Sequence, residues 1–81
     1  MNAANFEKRY FTLPRAGIAQ LRFILESYDG LAFARTLDRR EGLVEIAFPG
    51  SRRDDVEMLL KALAAEVGLQ EVPVPPLVPP L

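Results

Sequence analysis

Five apolar patterns follow one another along this chain, and their order constrains its fold more than any single residue does. An alternating run at Arg9–Leu13 leads into a helical run at Pro14–Tyr28. Two strand-like runs follow, Leu31–Leu37 and Leu43–Phe48, joined by a polar turn, and then a second helical run, Ser51–Val67. Period two marks the strands and period 3.6 the helices. The result is β-α-β-β-α. Elements of this kind each have one apolar face to bury, and the economical solution is a two-layer α+β sandwich. Right-handed crossovers then give one antiparallel sheet with both helices on one face.

This is the ferredoxin-like plan, complete if Leu69–Val74 supplies a fourth strand. Pro73 has no N–H, so that strand can lie only at an edge. Pro14 suits a first helical position, and Ile18, Leu21, Leu25 and Tyr28 then share a face, with Ile24 beside them. Asp29-Gly30 ends the first helix. Ser51 reads as the N-cap of the second, with Asp54 completing a capping-box-like pair. Val56, Leu59, Leu60, Leu63 and Val67 form its stripe, and Gly68 stops it. Asp38–Gly42 reads as a hairpin loop. In the strand after it, Val44, Ile46 and Phe48 face the core. The strand before it is apolar on both sides, so Phe33 and Arg35 face one way and Ala34 and Thr36 the other with no preference stated. Both sheet faces are therefore expected to be partly covered. Residues 1–71 make one α+β domain and 72–81 a proline-rich extended tail, where five prolines favour polyproline II.

Composition removes several functions. The 81 residues carry ten basic and eleven acidic side chains, a net charge of −1. That is no electrostatic footprint for nucleic acid or an anionic membrane. No cysteine or histidine is present, which removes disulfides, thiolates, the commonest general base and the commonest metal ligand. No apolar stretch approaches the roughly 18 residues of a membrane span. The expectation is a cytoplasmic protein with no cofactor and no metal.

Two resemblances emerge from the residues. Leu13-Pro14-Arg15-Ala16-Gly17-Ile18 and Leu25-Glu26-Ser27-Tyr28-Asp29-Gly30-Leu31 resemble the loop, first helix and second strand of ACT-type regulatory domains, which implies amino-acid binding at a subunit interface. The same helix end, followed by Arg35-Thr36-Leu37-Asp38 and a hairpin glycine at Gly42, resembles a family of short bacterial domains of unknown function. That second likeness spans most of the ordered region and implies no activity.

The candidate residues divide into two groups. Tyr28 and Asp29 form a turn able to stack on and bond to a ligand, or simply close a helix. Arg52 and Arg53 open the second helix, where anions bind, or they pair with Asp29 and water. On the back of the first helix Ala16, Ala19 and Phe23 lie opposite the core stripe, as Met58, Ala62 and Ala65 do on the second. With Phe33 on an apolar strand, they fit an interface with a second copy. No carboxylate pair demands a catalytic role. The reading is a non-catalytic, self-associating interaction or small-molecule sensing module. A nucleic-acid-associated domain using the open sheet face is the alternative, which a stack of exposed aromatics beside Arg35 would favour. A small enzyme using Asp or Glu comes third.

Overall fold

The computed structural model describes residues 6–28, 30–76 and 78. Strand β1 spans Phe6–Thr12, helix α1 Ile18–Glu26, β2 Phe33–Asp38, β3 Leu43–Pro49, helix α2 Arg53–Val67 and β4 Gln70–Val72. All pairings are antiparallel, and the sheet order is β2-β3-β1-β4. This is the ferredoxin-like α+β sandwich, with the fourth strand present at an edge. It is three residues long and stops before Pro73, which has no N–H for the ladder.

One buried cluster joins the layers. Val44, Ile46 and Phe48 of β3 and Phe11 of β1 meet Ile18, Leu21 and Leu25 of α1. The α2 stripe Val56, Leu59, Leu60, Leu63 and Val67 closes the cluster from the other side and is buried at every position. Pairing also settles the two-sided strand. Ala34 lies opposite Ile46 and Thr36 opposite Val44, so these face the helices, while Phe33 and Arg35 face away.

Both helices are entered differently from the sequence expectation. Pro14 is extended, with ψ 138°, and precedes a 3-10 turn at Arg15–Gly17 rather than opening the α-helix. Ser51 lies inside a second 3-10 turn, Gly50–Arg52, and Arg52 is the N-cap residue, with no side-chain capping bond. The tighter turn consumes the residues that a direct α start would use as caps. Helix α1 also ends early. Its C-cap is Ser27, whose hydroxyl donates to the Ile24 carbonyl at 2.6 Å, so Tyr28 falls in the turn and is exposed, not on the core stripe.

The hairpin forms as the sequence implies. The Asp38 carboxylate accepts from the backbone N–H groups of Arg40 and Glu41 at 3.0 and 3.2 Å, an Asx turn. Leu37 is the extra residue of an irregularity in the β2–β3 ladder. No helix among the described residues is long and apolar enough to cross a membrane.

Candidate functional site

The turn after α1 and the N-terminal half of α2 come together at one end of the helical layer. Between them lies a hollow of about 480 Å³. Leu31 and Leu59, both buried, form part of its wall, and Tyr28, Met58 and Ala62 line it from exposed positions. Its charged groups are Arg52 and Asp55, and Arg52 Nε donates to Asp55 Oδ2 at 3.0 Å. The pair sits on one helical turn at i, i+3 spacing.

Two of the four ligand candidates therefore meet. Tyr28 and Arg52 line the same hollow. Arg53 does not join them: it turns to β1, where Nε donates to Glu7 Oε1 at 3.1 Å and Nη2 to Glu7 Oε2. The two arginines thus diverge, Arg52 closing the 3-10 turn and Arg53 opening α2. The pairing with Asp29 that the sequence offered falls on a residue outside the described ones. The Arg53 guanidinium holds the Glu7 carboxyl below its usual range.

The interface candidates are all at the surface. Ala16 and Ala19 are exposed, and Phe23 is 72% exposed. Phe33 is exposed on the edge strand and helps line a second hollow, about 310 Å³, between β2 and α1. On the sheet face away from the helices its ring stacks on Phe6, with centroids 6.3 Å apart and planes 30° apart.

Two ionic clusters were not legible as sites. Arg9 donates to Glu71 from Nε and Nη2 at 2.9 and 2.6 Å and to Glu57 from Nη1 at 2.7 Å, tying β1 to β4 and α2. Its guanidinium holds the Glu71 carboxyl below the usual range. The second cluster is on the helix-free face. Glu45 accepts from the Tyr10 hydroxyl at 3.1 Å and from the Arg35 guanidinium at 3.3 Å. Glu45 is 3% exposed and Tyr10 7%. Burial, then the bond to Glu45, pushes the Tyr10 hydroxyl upward. The signal available in the sequence was a lone carboxylate in the middle of an apolar strand with an arginine across the hairpin.

Among the described residues no group of three carboxylates gathers as a metal site, and no buried side-chain polar atom lacks a partner. No curated protein and no solved structure matches the chain, ACT-type domains included. The model of one family does match, DUF4911, a domain of unknown function, over residues 11–67. That span covers both helices and the β2–β3 hairpin and most of the chain, so the chain belongs to the DUF4911 family.

Proposed function

We propose that this domain is a non-catalytic module that takes a small molecule and pairs with a second copy of itself. The observation that carries the reading is the hollow of about 480 Å³ where Tyr28 and Arg52 meet. An open apolar bowl with a few polar groups is how small-molecule sites are commonly built. Tyr28 offers a ring face and a hydroxyl. Arg52 and Asp55 offer one cation and one anion at the same rim, so a neutral or zwitterionic ligand with an apolar body fits better than a simple anion. Self-pairing draws support from β2, whose one strand partner among the described residues is β3. An edge strand carrying exposed apolar side chains is a template for another strand, and Phe33 lies on it.

Native mass spectrometry of freshly purified protein tests both parts. A dimer carrying extra mass that Arg52→Ala releases is the expected result. A bare monomer at high micromolar concentration, with sedimentation in agreement, overturns the reading.

A second reading, nucleic-acid association, is favoured by the Phe6–Phe33 stack on the helix-free face, where Arg35 and Lys8 also lie. Sheet aromatics of this kind hold unpaired bases. The net charge of −1 and the pairing of Arg35 with Glu45 count against it. Anisotropy of a labelled single-stranded RNA decides: binding that weakens steeply with salt supports it, and no binding at low salt removes it.

A further inference from the structure

The helix-free face of the sheet is not as open as a two-layer sandwich would leave it. Tyr10 and Glu45 point away from the helices yet are almost completely shielded from water. Val72, the last residue of β4, pairs with Tyr10, so the chain leaves the sheet beside that shielded row. Beyond it the burial pattern has a period. Val72, Pro75 and Val78 are half-buried, while Pro73, Val74 and Pro76 are exposed, Val74 at 68%. A polyproline II helix has three residues per turn, so every third residue lies on one face. A strand would bury every second residue instead.

We propose that the helix-free sheet face is a docking surface for a proline-rich extended segment, and that this chain's own segment after β4 occupies it. Reach allows this. At about 3.1 Å per residue, Val72 to Val78 spans roughly 19 Å. The sheet from β4 to β2 measures about three strand spacings, roughly 14 Å. The segment is therefore long enough to run from Tyr10 across the sheet toward Arg35. Aromatic surfaces are the usual partners of polyproline II, and the shielded Tyr10 supplies one, while Phe6 and Phe33, 44% and 54% exposed, lie beside the track and not beneath it. The stiff backbone loses little entropy on docking.

The full chain carrying Tyr28→Phe provides the test, since Tyr10 is then its sole tyrosine. Ultraviolet titration reads the Tyr10 hydroxyl directly. Adding Pro75→Ser and Val78→Ser is expected to move its midpoint down toward the ordinary tyrosine value, while Val74→Ser, at an exposed position, leaves it in place. Equal midpoints in all three overturn the proposal. An independent reading comes from nuclear Overhauser effects in mixed, differently labelled samples. Contacts from the Pro75 ring to the Tyr10 ring and from the Val78 methyls to the Arg35 side chain within one chain are expected. Their absence, or their appearance only between chains, overturns it, the latter assigning the surface to a second copy.

Discussion

Adding one carbon at Gly42 should cost far more than adding one at Gly30, although both have left-handed backbones. Their φ angles are 67° and 82°. A Cβ at Gly30 would meet nothing within 4 Å, whereas at Gly42 it would overlap the Leu13 carbonyl oxygen and lie 3.2 Å from the Leu13 carbonyl carbon. The backbone there has nowhere to go. The Leu13 N–H donates to the Gly42 carbonyl at 3.0 Å, clamping the end of the hairpin to the chain leaving β1. Gly30→Ala should therefore cost only the left-handed penalty, about 1–2 kcal/mol. Gly42→Ala adds the loss of that hydrogen bond, about 0.5–1.5 kcal/mol, and the displacement of Leu13, for a total of about 3 kcal/mol or more. A chain of this size has roughly 4–12 kcal/mol of stability in all, so the variant should be visibly compromised. Urea unfolding followed by circular dichroism measures both variants, with the midpoint shifting and the slope unchanged. If the two differ by less than about 0.5 kcal/mol, the clamp at Leu13 does not constrain the fold as argued.

Leu63, 1% exposed on the inner stripe of α2, should cost about 2–5 kcal/mol when changed to Ala; an unaltered thermal melt would contradict its place in the core. Glu7 and Glu71 have folded pKa values lowered chiefly by the hydrogen bonds from Arg53 and Arg9. Their contribution is present above the ordinary glutamate value, about 4.3, and is lost as pH falls through the lowered folded values. Arg9→Ala should flatten that acid limb in a pH series of urea midpoints. Tyr10 has the opposite sign, because burial and then its bond to Glu45 raise its folded value. Its contribution is whole below about 10 and lost as pH rises through the folded value, so Tyr10→Phe should remove part of the alkaline decline.

Local rules carried the fold a long way. The α2 stripe, the Gly68 stop at φ 75° and the Val44, Ile46, Phe48 face were all legible because each depends on periodicity or on one residue's conformational freedom. The 3-10 entries to both helices were not, since Pro14 and Ser51 are equally acceptable to an α start and to a tighter turn. The facing of β2 needed its partner strand: Ala34 and Phe33 are both apolar, and only the register against Ile46 and Ala47 separates them. The candidate site divided along the same line. Tyr28 and Arg52 were picked out as turn and helix-start residues, but their meeting is a tertiary fact. Arg9 was invisible, because its partners lie 48 and 62 residues away. In the tail, proline content alone does not separate the apolar residues: Val78 is half-buried and Val74 exposed, while Leu77 lies outside the described residues.

The sheet order has a consequence for how the molecule is made. β1 is synthesised before the other strands and ends in the middle of the sheet, between β3 and β4. Its first partner is complete only when residue 49 has been added, and its second only at residue 72. Before residue 49 is added α1 has no sheet containing β1 to pack on, and before α2 follows the nascent chain must hold that sheet and an amphipathic helix with half of the core missing. The β2–β3 hairpin is the one pairing that can close locally, so it is the natural platform onto which β1 is later drawn. Every remaining pairing closes a long loop before it is rewarded. Folding on the ribosome should therefore be late and abrupt, with protection of β1 arriving together with that of α2 rather than growing as the chain emerges.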